Sequence, residues 1–206
     1  MVERQLRRRG ISDERVLRAM DAVPREHFVP ERVRRSSYND SALPIGYEQT
    51  ISQPWVVAAI CQALSLRGDE LVLEIGTGSG YSAAVLSQLA DHIVSIERVP
   101  ELGEWAGRRL DELGIRNVEV VIGDGSRGHS ERAPYDAIAV HAASPEAPHS
   151  LLSQLAPDGR LVVPIATGSA DLLTAFISEN GDLRQETIGP CRFVPLIGAE
   201  GFEASD

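Results

Sequence analysis

The stretch Glu74-Ile75-Gly76-Thr77-Gly78-Ser79-Gly80 sets three glycines at alternate positions directly after an apolar run. Glycine lets a backbone approach a ligand closely and turn where a Cβ would not allow it. The spacing is G-x-G-x-G, and Tyr81 stands where a dinucleotide fingerprint needs its third glycine. Glu74 places a carboxylate just before the first glycine. That charge is unwelcome beside a pyrophosphate, but it suits a ligand carrying an ammonium and a sulfonium, or it can order the loop by accepting backbone N–H bonds. Glu97 ends the next apolar run, 21 residues past Gly76, where an acidic side chain can accept from both hydroxyls of a ribose. Gly123-Asp124-Gly125 follows the third run; there Asp124 can accept from an adenine amino group while a backbone N–H reaches a ring nitrogen. Together these features at the carboxyl ends of successive strands point to S-adenosyl-L-methionine as the cofactor.

The elements that must hold these residues follow from periodicity. Residues 1–35 read as helical, with Ser12 as the cap of a helix whose Val16, Leu17, Met20 and Val23 share one face. Residues 36–53 read as a polar loop long enough to be functional. From residue 53 the pattern alternates. Helices are expected over 53–66, 82–89, 100–113 and 151–155, and strands over 71–75, 93–97, 118–122, 137–141 and 160–164. The tail reads as three further strands, 172–177, 183–188 and 193–197, two of which can close the sheet as an antiparallel hairpin. Apolar strands alternating with helices predict an α/β fold, a mostly parallel twisted sheet with helices on both faces and an N-terminal helical cap.

A chain of 206 residues suits one domain with a full core. It divides into a cap and substrate loop over 1–52 and a cofactor-binding core over 53–206. Hydrophobic residues make up 43% and charged residues 24%, which is an ordinary globular balance. The net charge of −10 argues against a general nucleic-acid or membrane-surface binder. Residues 1–35 depart from it, with ten arginines against six acidic residues, and read as solvated helix faces. All twenty basic residues are arginine. Cys61 and Cys191 lack metal-site spacing and are too few for a disulfide framework, which fits a reducing cytoplasm. No apolar run has the length of a membrane span, and no signal peptide is evident. No metal ligand set is expected.

Read more widely, the chain resembles the protein-L-isoaspartate O-methyltransferase family. The resemblance rests on Phe28-Val29-Pro30, on Gln49-Thr50-Ile51-Ser52-Gln53-Pro54, on the glycine loop, and on Ser95-Ile96-Glu97-Arg98 and Gly123-Asp124-Gly125. Further downstream it includes Pro134-Tyr135-Asp136-Ala137-Ile138, Gly159-Arg160-Leu161-Val162 and Phe193-Val194-Pro195-Leu196. It implies a Rossmann-like class I methyltransferase fold and methylation of the free α-carboxylate of L-isoaspartyl residues in damaged proteins and peptides. The ester is then lost through a succinimide, as the family's repair cycle implies. The resemblance also implies Thr50 and Ser52 as the catalytic pair, lining the place where cofactor and carboxylate meet. It implies cofactor contacts from Glu74, Gly76, Thr77, Gly78, Ser79, Gly80, Glu97, Arg98, Asp124 and Gly125.

Ser52 also precedes a helix with an early proline, so it can serve as an N-cap; a helix N-terminus favours a carboxylate too. Two positions depart from the family pattern. Glu48 stands where bacterial members have glycine, adding negative charge near an anionic substrate, and His141 stands where threonine is expected. A carboxylate is an adequate nucleophile at neutral pH, so the expected work is alignment and exclusion of water, without a catalytic triad, and the 36–53 loop and the Phe193 segment are the candidate walls or lids. The expected partners are isoaspartyl proteins and peptides, with no nucleic acid and no membrane, and the expected state is a cytoplasmic monomer. The competing readings are a methyltransferase of this family with another substrate, a nicotinamide oxidoreductase, which Glu74 and Tyr81 oppose, and a cofactor-binding adaptor that does not methylate.

Overall fold

The computed structural model describes residues 1–179 and 181–204. Its centre is a seven-stranded sheet in the order β5-β4-β3-β6-β7-β8-β9. The strands are β3 (Leu71–Ile75), β4 (His92–Glu97), β5 (Val118–Ile122), β6 (Tyr135–Val140), β7 (Leu155–Ala166), β8 (Asp171–Glu179) and β9 (Asp182–Cys191). β5, β4, β3, β6 and β7 run parallel, and β8 and β9 close the sheet as an antiparallel hairpin. The fold class is therefore the one expected. β3, β4 and β6 are apolar on both sides because both faces are covered. Ala137 and Ala139 of β6 pack with the cluster that holds α1 (Glu14–Ala22), α2 (Pro54–Leu64) and α3 (Tyr81–Leu86), while Ile138 and Val140 pack with Leu151 of α5 (His149–Ser153). α4 (Pro100–Glu112) lies against β4 and β5, with Leu102 and Leu110 in the first cluster.

The chain winds from β3 outward to β4 and β5, then returns to the other side of β3 for β6. The loops after β3 and β6 consequently part in opposite directions, and a crevice opens at the carboxyl edge of the sheet.

Several details differ from the sequence reading. The cap of α1 is Asp13, not Ser12: its carboxylate accepts from Arg15 N and Val16 N, while the Ser12 and Asp13 amides both donate to Gln62 Oε1. The N-terminal region is one regular helix, α1, among short π and 3₁₀ turns. The polar loop 36–53 contains a small hairpin, β1 (Leu43–Gly46) with β2 (Gln49–Ile51). Ser52 does not cap α2; Gln53 holds that position without a side-chain bond. Residues 193–197 are not a strand. Pro195 lacks an amide proton, and the segment is fixed by the Val194 carbonyl accepting from Ala143 N and by Leu196 N donating to Ala143 O.

Candidate functional site

A cleft of about 320 Å³ lies in that crevice, a volume suited to a small-molecule ligand. Its walls come from the ends of four parallel strands: Gly76–Ser79 after β3, Glu97–Val99 from β4, Gly125 beyond β5, and His141–Ala142 after β6. The lip is residues 48–52, and residues 194–197 of the tail close the opposite side.

The glycine loop is built by backbone bonds from its neighbours. Gly76 N and Thr77 N donate to Ile96 O at 2.8 and 3.2 Å. Gly78 has φ +53°, and a Cβ there would lie 3.6 Å from Ile45 of the hairpin, so a side chain at this position meets both backbone strain and the lip. Glu97 is the organising carboxylate. It is 6% exposed; one oxygen accepts from Gly78 N at 2.7 Å and the other from Val99 N at 2.9 Å. Each oxygen keeps a second lone pair for a ligand hydroxyl. Gly125 faces Ile75, where an added Cβ would come within 2.6 Å, so this wall is backbone alone.

Of the sequence-predicted residues, Thr50, Ser52, Gly76, Thr77, Gly78, Ser79, Glu97, Arg98 and Gly125 line the cleft. Ser52 is half-buried, its hydroxyl without a partner among the described residues; Thr50 and Arg98 are exposed at the rim. Three predicted residues lie elsewhere. Gly80 is the N-cap of α3 and packs against Ala106 of α4. Asp124 turns to the tail, accepting from Ser126 N and Ala199 N. Glu74 is fully buried beneath the loop and does not reach the cleft or a backbone amide.

Glu74 instead anchors a side-chain network. Ser95 donates to its Oε2, and the Ser95 hydroxyl meets that of Thr77 at 2.6 Å. His141 Nε2 lies 2.7 Å from Ser82 Oγ and 3.4 Å from Glu74 Oε1. Burial pushes the Glu74 carboxyl up to about 7 and the His141 imidazole down to about 4. Burial thus disfavours an ion pair between them, and His141 meets the cleft as a neutral ring. Ser82 and Ser95 were missed from sequence, whereas the Phe193 segment, expected as a wall, does supply residues 194–197 of the lining. The available signal was a serine inside an otherwise apolar strand, Ile93-Val94-Ser95-Ile96, and another at the start of an apolar helix, Tyr81-Ser82-Ala83-Ala84.

With this geometry in hand, comparison with known proteins is specific. The sequence model of the family described as Protein-L-isoaspartate(D-aspartate) O-methyltransferase matches residues 1–201. A protein-L-isoaspartate O-methyltransferase of Protochlamydia amoebophila is 50% identical over 207 residues, covering 100% of this chain and 99% of its own. A solved protein-L-isoaspartate O-methyltransferase superposes with a TM-score of 0.85 at 32% identity, over 95% of this chain and 64% of that one. A Plasmodium falciparum chain, described as a beta-aspartate methyltransferase in complex with S-adenosyl-L-homocysteine, superposes with a TM-score of 0.81 at 25% identity, over 93% of this chain and 94% of that one.

Proposed function

The chain belongs to the protein-L-isoaspartate O-methyltransferase family, and from that premise we propose how its cleft performs the family reaction. The protein is an S-adenosyl-L-methionine-dependent methyltransferase that esterifies the α-carboxylate of L-isoaspartyl residues in damaged proteins and peptides. The observation that carries the residue roles is that the Thr50–Ser52 segment and the glycine loop are walls of one cleft.

The donor, when bound, supplies an electrophilic methyl group on a sulfonium. Gly76–Ser79 offer close backbone approach, Glu97 would accept from the ribose hydroxyls, and Arg98 and Gly125 would edge the site. Glu74 acts at one remove, through Ser95 and Thr77. Ser52 Oγ, free of any internal bond among the described residues, donates to the substrate carboxylate, and Thr50 sits beside it on the lip. No general base is needed, since the nucleophile is already ionised. Holding it in line with the methyl group can supply roughly 7–11 kcal/mol of the barrier. The reaction joins an anion and a cation, so the apolar tail residues Val194, Leu196 and Ile197 help by excluding water.

Residues 1–52 act as cap and substrate lip on the core 53–206. No helix among the described residues is long and apolar enough to cross a membrane. We read the site of action as the cytoplasm, supported by the free thiols of Cys61 and Cys191, and the partners as isoaspartyl polypeptides rather than nucleic acid, supported by the net charge of −10. The deciding experiment is methyl transfer from S-adenosyl-L-methionine to an isoaspartyl peptide, with its aspartyl twin as control. Ester formation on the isoaspartyl peptide alone is expected; equal labelling of both, or of neither, overturns the reading.

A further inference from the structure

Arg25 is 0% exposed and is among the largest fully buried side chains of the described residues. Its Nε donates to Ser37 O and its Nη2 to Ser52 O, each at 2.7 Å, and its guanidinium carbon lies 4.7 Å from the centre of the Tyr81 ring. Nη1 is buried without a partner, and no carboxylate forms an ion pair with the group among the described residues. The surface arginines Arg7, Arg9, Arg34 and Arg132 contrast with it, since each holds a carboxylate. A buried cation normally has an anionic partner, because desolvation is costly and neutral acceptors offset it only in part. Burial pulls this guanidinium below its ordinary pKa while the neighbouring Tyr81 opposes the change, and an arginine stays charged at neutral pH.

What the charge faces gives it a use. Ser52 and Tyr81, the two groups it touches on that side, both line the cleft. The other charges lining the cleft are mostly acidic, Glu48 at the lip and Glu97 in the wall. The substrate carboxylate is therefore opposed from two sides, and the rim cation Arg98 is exposed and screened. A charge behind the wall, shielded from water, is screened far less. We propose that Arg25 is a positioning residue for the substrate: it fixes the Thr50–Ser52 lip against α3 through the Ser52 carbonyl, and its uncompensated charge supplies the positive potential that seats the isoaspartyl α-carboxylate beside Ser52. The proposal rests on the reaction described above and adds to it a residue outside the cleft.

Charge and shape separate in two variants. Arg25→Gln keeps a donor for the Ser52 carbonyl but removes the charge, and Arg25→Lys keeps the charge but loses the fork. Each is assayed for KM and kcat on an isoaspartyl peptide and for calorimetric affinity for S-adenosyl-L-homocysteine. Arg25→Gln should raise the peptide KM about tenfold or more, lower kcat much less, and leave S-adenosyl-L-homocysteine affinity within about twofold; Arg25→Lys should return KM to within about threefold of the parent. The proposal is overturned if Arg25→Gln leaves KM within about twofold, if cofactor affinity falls in step with KM, or if Arg25→Lys is as poor as Arg25→Gln. Should Arg25→Gln fail to fold, Arg25→Lys decides alone: a KM within about threefold supports the charge role and a rise beyond about tenfold refutes it. Parent enzyme that leaves the isoaspartyl peptide unmethylated while still binding S-adenosyl-L-homocysteine counts against the reaction itself, not against Arg25.

Discussion

At the scale of single residues, the glycine loop and Glu97 were legible because their chemistry is written in adjacent positions. The contacts of Ser82, His141 and Arg25 were not, because they join residues 59 and 27 apart in sequence and leave no local pattern. Ser52 is the sharpest case, since the sequence allows both a cap and a substrate contact. The structure gives the cap position to Gln53 and leaves the Ser52 hydroxyl without a partner among the described residues. Ser52→Ala should therefore cost less than about 0.5 kcal/mol of stability, against roughly 0.5–2 for a lost cap. It should also lower kcat/KM on isoaspartyl peptide about tenfold or more, the worth of one bond to a charged group. Urea unfolding beside steady-state kinetics checks both; intact turnover removes Ser52 from the reaction. His141 makes a pH prediction. Its pKa falls from 6.5 to about 4 on burial, so between those values the unfolded chain binds a proton that the folded chain does not, and stability rises with pH. Glu74, raised from 4.5 to about 7 by burial, works the other way across pH 4.5–7, because the folded state keeps a proton the unfolded state loses. The two slopes offset each other in the parent. His141→Thr deletes the rising one, so the stability of the variant relative to the parent should decline from pH 4 to 6.5, by on the order of 3 kcal/mol at most. A difference that is flat across that range would show that His141 is not held neutral.

At the scale of elements, the buried parallel strands were readable from composition, since a strand covered on both faces must be apolar throughout. The hairpin of the lip was not. Its strands are short, and its two-residue turn is Tyr47-Glu48 where such turns usually announce themselves with Asn-Gly or Asp-Gly. Both turn residues have positive φ, 51° and 57°. That gives a physical reason for the glycine which the family resemblance leads one to expect at Glu48: the backbone there is left-handed, and a side chain costs about 1–2 kcal/mol. Tail residues 193–197 misled in the opposite direction. Their apolar character comes from walling the cleft and packing against β6 and β7, and the sheet edge beyond β7 is already taken by the β8–β9 hairpin. Glu48→Gly should relieve the turn, with a net gain near 0–1 kcal/mol after the extra chain entropy of glycine. It should also lower the KM for isoaspartyl peptide, most at low ionic strength, because Glu48 is exposed, lines the cleft and opposes an anion. Titration of KM against salt for both proteins checks this; equal or higher KM at low salt would mean that the carboxylate points away from the bound peptide.

At the scale of the whole molecule, the cleft is assembled from six stretches of chain, and none is long enough to hold a ligand alone. The tail is the part most remote in sequence, and it is bolted to the rest by several bonds. Asp124 accepts from Ala199 N at 2.9 Å, Ser126 Oγ accepts from Glu200 N at 3.0 Å, Glu200 accepts from Ser150 N at 2.8 Å, and Asp171 accepts from Phe193 N at 2.7 Å. These bonds link the tail to the loop after β5, to α5 and to the start of β8, so the wall over the cleft is a cooperative part of the fold. The β9 strand is different: it is the outer edge of the sheet and mostly exposed, and its amides can open by local fraying. A ligand that binds only the folded state adds about 2.7 kcal/mol at a hundredfold excess over Kd, roughly a hundredfold slower exchange for amides that open only by global unfolding. Hydrogen exchange with S-adenosyl-L-homocysteine at that excess should therefore slow residues 76–80, 97–99, 141–143 and 194–199 together with the core of β3 and β4. Amides of 182–189, which need no global opening, should exchange as before. Protection confined to the glycine loop, with 194–199 unchanged, would show that the tail is not a wall of the occupied site. Uniform protection that reached β9 would show that its edge does not open independently of the core.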